Sequence, residues 1–136
     1  MLEYVKTCIM DMTGLESLKI YQLAEDLEMK VHELTKLFPP DEKYRSVDQV
    51  RRSSGSARSN IAEGYGRYTY GDKMHHLHIA RSEAEETKRH LIMAKKKIFC
   101  SVEQVDPLVE GYTGLLKGVN GYIRFLRNQK NKRPAT

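Results

Sequence analysis

The chain has little cysteine and no long apolar run, and each shortage excludes a class of protein. Only Cys8 and Cys100 are cysteines among its 136 residues, too few for a disulfide framework and without partners at the spacing of metal ligands. Its apolar runs are far shorter than the ~20 residues that cross a bilayer. The opening MLEYVKTCIMDM lacks the basic flank and small-residue cleavage site of a signal peptide. We therefore expect a soluble, cytoplasmic protein that does not contact a membrane.

The length and charge of the chain narrow its class further. A chain of 136 residues corresponds to one domain and is long enough to bury a core. With 23 Lys and Arg against 18 Asp and Glu, and a pI near 9.2, it is moderately basic. This excess favours an anionic partner such as RNA or DNA without requiring one.

Four sequences of the form [ST]-x-x-[EQD] divide the chain, and each can cap the start of a helix. They begin at Thr13, Ser46, Thr69 and Ser101. Behind each one, apolar or small residues recur at steps of three and four, which is typical of a helix with one buried face. These seams run from Ile20 to Phe38, Val47 to Gly64, Leu77 to Ile98, and Val105 to Leu126.

The caps and seams together predict an all-α fold. The helices span about residues 13–38, 46–65, 70–99 and 102–128, with an extension at 1–12 and a basic, mobile tail at 129–136. Short links between helices make sequence neighbours antiparallel, and no strand-like alternation competes with this pattern. The prediction is an antiparallel, up-down-up-down four-helix bundle over residues 13–128. Residues 1–12 either pack on this bundle or pair with a neighbouring molecule.

The stretch SNIAEGYGR, residues 59–67, ends in glycines but does not fit a phosphate-binding loop. Such a loop follows a strand and opens a helix, whereas this stretch closes a helix, where the dipole repels anions. Asn60 and Glu63 predict a polar network that fixes helix register or subunit contacts, and Glu63 can pair with Arg67 one turn on. We treat Asn60, Ile61, Ala62, Glu63 and Gly64 as a structural motif.

Basic side chains recur on the predicted helices and provide candidate contacts to nucleic acid. On helix two, Arg51 and Arg58 share one flank of the seam while Arg45 and Arg52 point outward, a spacing suited to phosphates. The loop GYGRYTYGDK adds Tyr65 and Tyr68 around Arg67, which either stack unpaired bases or cap the core. Helices three and four add further cations: Arg81, Lys88, Arg89, Lys95, Lys96, Lys97, Arg124, Arg127, Lys130, Lys132 and Arg133. The alternative is that these are ordinary solvated faces.

Four glycines in helix four indicate close approach of another backbone. Gly111, Gly114, Gly118 and Gly121 repeat at steps of three, four and three, and each costs about 1 kcal/mol relative to alanine inside a helix. Contact with a second copy of the chain would offset this cost, so the stripe predicts a homo-oligomer. The alternative is that the glycines admit bulky residues from within the bundle.

Neither a metal site nor an enzyme active site emerges from the sequence. The histidines of KMHHLHIA, at 75, 76 and 78, have no accompanying Glu-x-x-His repeats of the kind that di-iron bundles use. No second acid, base or nucleophile converges on Glu63, and no histidine neighbours the serines of helix two. We expect no metal, no cofactor and no catalytic residue.

The chain resembles the four-helix-bundle family of 23S rRNA intervening-sequence proteins. The resemblance lies in LKIYQLAEDL, LFPPDEKY, VDQVRRSSGSARSNIAEGYGR and HLHIARSEAEETKRHL, and spans residues 18 to 126. The chain departs from the family pattern at RSEAEE, residues 81–86. The resemblance implies a bacterial homopentamer without established enzymatic activity. It also implies kinship with accessory proteins of diversity-generating retroelements, which bind nucleic acid and a reverse transcriptase.

Two functions from different classes follow from these observations. The preferred one is a non-enzymatic oligomer that binds RNA or DNA through its basic faces and the tyrosine-arginine loop. The alternative is a protein-interaction scaffold, such as a reverse-transcriptase adaptor, whose positive charge assists docking near nucleic acid.

Overall fold

The computed structural model describes residues 14–15 and 18–132, and these form four α-helices and no strand. The helices are α1 (Lys19–Thr35), α2 (Ser46–Gly66), α3 (Tyr70–Lys96) and α4 (Val102–Asn131), with a short 3₁₀ turn at Pro40–Glu42. The all-α class and the number of helices agree with the sequence prediction.

The first helix is shorter in the structure than the sequence predicts. The cap expected at Thr13 lies outside the described residues, and the described helix begins at Lys19. It ends at Thr35 because Leu37 and Phe38 bond to carbonyls only three residues back, which tightens the last turn before Pro39. Phe38 is nevertheless buried in the core.

The start of α2 corrects the predicted capping box. Ser46 is the first helical residue, and it caps nothing. Its hydroxyl donates instead to Glu42 Oε2 at 2.6 Å, and its amide donates to the same oxygen at 3.3 Å. This hydroxyl lowers the pKa of the Glu42 carboxyl. The carboxylate of the preceding 3₁₀ turn therefore satisfies a free amide at the start of α2.

The other two described caps form as predicted. Thr69 Oγ1 accepts a hydrogen bond from the Asp72 amide at 3.1 Å. Ser101 and Gln104 form a reciprocal capping box, with the Gln104 amide donating to Ser101 Oγ at 3.2 Å and the Ser101 amide donating to Gln104 Oε1 at 2.9 Å. Short-range sequence chemistry fixes both helix starts.

Ile98, predicted as the last core position of helix three, is instead exposed. The helix ends at Lys96, and the amides of Ile98 and Phe99 bond to the carbonyls of Lys95 and Ala94, the pattern of a Schellman turn. This turn places Ile98 in the left-handed region at φ 62°, with 86% of its surface exposed. Phe99 takes the core position, 5.3 Å from the Phe38 ring centroid. α4 extends to Asn131, so residues 129–131 of the predicted tail are helical.

Contacts between α2 and α3 run in opposite order along the two helices. The buried hydroxyls of Ser53 and Thr87 lie 2.7 Å apart, and further along α2 Asn60 Oδ1 lies 3.2 Å from His76 Nδ1. The two bonds tie the helices together from inside the core and from its edge. The two neighbouring helices therefore lie antiparallel.

α1 and α4 approach each other where α4 has glycine. A Cβ built on Gly111 would lie 2.5 Å from Leu27 Cδ2, and one built on Gly118 would lie 2.8 Å from Ile20 Cγ2. These two glycines therefore make room for α1 side chains within the chain. This is the alternative raised for the glycine stripe, and it applies to this half of it.

A buried hydroxyl without a partner lies at the centre of the core. Tyr112 is 1% exposed, and its Oη has no hydrogen-bond partner among the described residues. Burial raises the pKa of the Tyr112 phenol, with a smaller contribution from Glu28. An unpaired buried hydroxyl carries a desolvation cost that a phenyl ring does not.

Tyr112→Phe is expected to raise the free energy of unfolding by about 1 kcal/mol, because it removes this cost and keeps the ring. Urea unfolding of the two proteins at one concentration measures the change. Tyr122→Phe, at a half-buried position of the same helix, is the control and is expected to change little. A loss of stability in Tyr112→Phe would show that the hydroxyl has a partner in solution.

Candidate nucleic-acid interface

Two arginines of α2 and Arg67, which follows it, were predicted to contact phosphates and are paired with carboxylates of the same chain. Arg52 Nη2 lies 2.8 Å from Asp48 Oδ2 and Arg67 Nη2 lies 3.3 Å from Glu63 Oε2, both one helical turn apart. Arg58 pairs with Glu28 of α1. The Glu63–Arg67 pair is the one that their spacing predicts.

The pair between α1 and α2 is the most enclosed of the three. Both side chains are about one-third exposed or less, at 31% for Arg58 and 25% for Glu28. The hydrogen bond from the guanidinium to Glu28 raises the pKa of Arg58. Gly55 lies beside the pair, where a Cβ would be 3.2 Å from Glu28 Oε1. Arg58 therefore links two helices and does not point to solvent.

Arg51 also faces α1, while Arg45 remains exposed. Arg51 Nε donates to Thr35 Oγ1 at 2.8 Å, and its Nη2 donates to the His32 carbonyl at 3.5 Å. Arg45 precedes α2, and no described carboxylate pairs with it. Of the arginines predicted along α2, only Arg45 is exposed and without a carboxylate partner in the described part of the chain.

The tyrosine loop divides between core and solvent. Tyr68 is 92% exposed, whereas Tyr70 packs against the core. Lys73 Nζ donates to the Tyr65 carbonyl at 2.7 Å, at the C-terminal end of α2, and lies 5.8 Å from the centroid of that ring. Burial, with a smaller effect of Tyr65, raises the pKa of Tyr122 on α4. Tyr65, which is 36% exposed, thus lies partly against the bundle, and Tyr68 is the most exposed tyrosine of the loop.

The motif at residues 60–64 contacts α3 through Asn60 and Gly64. Ile61 is fully buried, and Asn60 bonds both to Ser56 and to His76. A Cβ on Gly64 would lie 3.0 Å from the Lys73 carbonyl oxygen of α3. Ala62 is half-buried, and Glu63 is exposed beside Arg67. The polar network expected of Asn60 and Glu63 forms at Asn60 alone.

Two stretches of neighbouring helices contain cations and no carboxylate. Residues 73–82 of α3 and residues 111–132, which are the end of α4 and its C-cap, are hereafter the acid-free segments and contain seven Lys or Arg and no Asp or Glu. These cations are Lys73, Arg81, Lys117, Arg124, Arg127, Lys130 and Lys132, of which the last five are exposed. Arg81 Nη1 donates to Asn120 Oδ1 at 3.1 Å, which places the two segments side by side.

A histidine bonds to one of these arginines and is affected by the charge of a second. Arg81 Nη2 lies 2.9 Å from His78 Nδ1, one turn earlier on α3. Burial is the largest of the effects that lower the pKa of His78, and the charges of Arg81, Arg127 and His75 lower it further. His78 and Asn120 were not among the residues predicted from the sequence. The lack of acids around them was visible in the sequence and would have indicated this region.

The remaining predicted cations lie at the other end of the bundle. Lys95 Nζ is 2.7 Å from Asp106 Oδ1 and so joins α3 to α4, whereas Lys96 is exposed.

The outer glycines of α4, Gly114 and Gly121, are exposed, and a Cβ on either would meet nothing within 4 Å. Half of the predicted glycine stripe thus remains open at the surface.

The sequence of the chain matches a known protein family. The family model of the 23S rRNA-intervening sequence protein matches residues 16–121. The chain belongs to this family. No curated protein matches it.

A solved crystal structure shares the fold of this chain. It is the crystal structure of a protein with unknown function from the S23 ribosomal protein family of Bacteroides thetaiotaomicron VPI-5482. The match has a TM-score of 0.72 and 23% identity, and it covers 76% of this chain and 97% of that one. Within this chain, none of the described helices is long and apolar enough to cross a bilayer.

Proposed function

We propose that this protein binds nucleic acid, preferably RNA, and that it catalyses no reaction. The acid-free segments of α3 and α4 form the interface. The observation that carries the proposal is their composition of seven cations without a carboxylate. Four of these cations are exposed on α4, and a fifth, Lys132, is exposed at its C-cap. The family description, which refers to an intervening sequence of 23S rRNA, is consistent with an RNA ligand.

The electrostatics of the two faces support this choice. Arg52, Arg58 and Arg67, which pair with Asp48, Glu28 and Glu63, already have an anion beside them. A phosphate would have to displace that carboxylate or share the guanidinium with it. No cation of the acid-free segments forms an ion pair among the described residues, so a phosphate that binds there displaces no carboxylate.

Affinity measured across a salt series tests the proposal. Nuclease-treated protein is titrated with a structured rRNA fragment and with a duplex DNA, from about 50 to 200 mM salt. We expect the logarithm of the association constant to fall linearly with the logarithm of salt, by about 0.7 to 0.9 per phosphate engaged. Absence of binding at the lowest salt would contradict the proposal.

A second candidate function is a protein-interaction scaffold, such as an adaptor for a reverse transcriptase. The observation that favours it is a groove of about 650 Å³ between α1 and α4, lined by Leu23, Leu34, Leu37 and Pro107 among others. Met29 on its rim is 61% exposed. Under this function, capture of a protein partner would persist when the cations of the acid-free segments are removed.

We also propose that the chain is an up-down-up-down bundle that assembles with copies of itself, as a pentamer, in the bacterial cytoplasm. The opposite order of contacts along α2 and α3 supports the topology. The open backbone at Gly114 and Gly121 supports close approach of another molecule. The mass of the protein in solution, measured by light scattering, tests the assembly, and a monomer would contradict it.

A further inference from the structure

We propose that Arg81 and Arg127 bind one phosphate group of the nucleic acid between them, and that Asn120 and His78 hold the Arg81 guanidinium in position. This phosphate site rests on the proposed function and names one of its contacts. The four residues lie where α3 and α4 meet, within the acid-free segments.

The Arg81 side chain is fixed from both helices. Its Nη1 donates to Asn120 Oδ1 at 3.1 Å, and its Nη2 donates to His78 Nδ1 at 2.9 Å. The second bond requires a neutral His78 with its proton on Nε2, because a protonated imidazole has no acceptor. The lowered pKa of His78 agrees with this neutral form. The rotamer freedom of a long side chain is thus restricted before any ligand arrives.

The fixed guanidinium still has donors to offer. Arginine carries five N–H groups, and the two bonds to Asn120 and His78 use two of them. The planar arrangement of the remaining donors suits two oxygens of one phosphate. Glu85 and Glu86, on the next turn of α3, line the same groove as Arg81, although neither carboxylate forms an ion pair with it in the described part of the chain.

Arg127 provides the second charge. It lies seven residues after Asn120 on α4, so both residues occupy the same side of the helix. The charge of Arg127 acts on His78, as does that of Arg81, and His78 therefore lies within the field of both arginines. Arg81 and Arg127, whose charges both act on His78, are the two guanidinium groups that the proposed phosphate would contact.

Three variants and one control test the site with a fluorescein-labelled single-stranded RNA of about 20 nucleotides across a salt series. Arg81→Gln and Arg127→Gln are each expected to weaken binding several-fold. The double variant is expected to reduce the salt slope by about 0.7, the amount for one single-strand phosphate. Arg45→Gln combined with Arg52→Gln, which makes the same change of net charge at α2 as the double variant, is the control and should leave the slope unchanged. An equal loss of slope in the control would overturn the site.

Asn120→Asp separates a positioning role from a structural one. The new carboxylate keeps the bond to Arg81 Nη1 and adds a charge, so the melting temperature should not fall. Binding should nevertheless weaken as in Arg81→Gln, because the guanidinium then has an anion beside it, as Arg52 has. Unchanged RNA affinity in this folded variant would show that Arg81 does not contact a phosphate.

The site and the proposed function can fail separately. The His78 ring is observed by ¹H–¹⁵N NMR while inorganic phosphate is added, with chloride at equal ionic strength as the reference. A phosphate-specific shift of His78 in a protein that binds no RNA supports the site and refutes the function. RNA binding that is unaffected by Arg81→Gln and Arg127→Gln supports the function and refutes the site.

Discussion

Gly64→Val is expected to lower the free energy of unfolding by about 3 kcal/mol. Gly64 is buried in α2, and a Cβ there would lie 3.0 Å from the Lys73 carbonyl oxygen and 3.4 Å from both His76 Cβ and Leu77 Cγ. The first of these atoms belongs to the backbone of α3 and cannot rotate away. A valine would push α2 and α3 apart along the contact that Ser53 and Asn60 also maintain.

Gly66→Val is the matched control for this prediction. Gly66 ends the same helix, is exposed, and has no atom within 4 Å of a Cβ built on it. Valine and glycine differ by only a few tenths of a kcal/mol in helix propensity, so this variant should unfold at nearly the wild-type urea concentration. Equal midpoints for the two variants would show that α2 and α3 can separate without cost at Gly64.

Arg124→Glu combined with Arg127→Glu is expected to weaken RNA binding on the order of 100-fold at about 50 mM salt. Both side chains are exposed on α4, and no described carboxylate pairs with either. Reversal changes the net charge by four units and introduces the first acids into the acid-free segments. Fluorescence anisotropy with a labelled RNA measures the loss, and circular dichroism confirms that the variant remains helical.

Arg45→Glu combined with Arg52→Glu changes the net charge by the same four units on α2. This pair is expected to weaken RNA binding only a few-fold, through the long-range field alone. The comparison distinguishes the face that the sequence indicated first from the face that the structure favours. Equal losses in the two double variants would contradict an interface confined to α3 and α4.

Local sequence rules predicted the helices well because their causes are local. The caps at Thr69 and Ser101 depend on a hydroxyl and an amide three residues away, and the seams depend on a period that any buried helix face must follow. The prediction that Ile98 is a core position was wrong because the turn after α3 is set by Phe99, which packs on Phe38 of the first loop. A contact between residues so far apart in sequence leaves no periodic signal.

The candidate site was less predictable for a similar reason. The Asp48–Arg52 and Glu63–Arg67 pairs follow from their spacing of four residues, but the pairing of Arg58 with Glu28 depends on how α1 lies on α2. The bonds from Arg81 to His78 and Asn120 likewise require the register of α3 against α4. The cations were visible in the sequence, whereas the packing of the helices determines which of them lie beside a carboxylate.

The acid-free segments also give the molecule an electrical polarity. They hold seven of its 23 cations and none of its 18 acids, so the remainder has 16 cations against 18 acids and is slightly negative. The field of these segments would therefore orient the molecule toward a polyanion before contact, and the slightly negative remainder would be repelled. A single copy of the chain that binds as proposed would therefore engage one strand along one face.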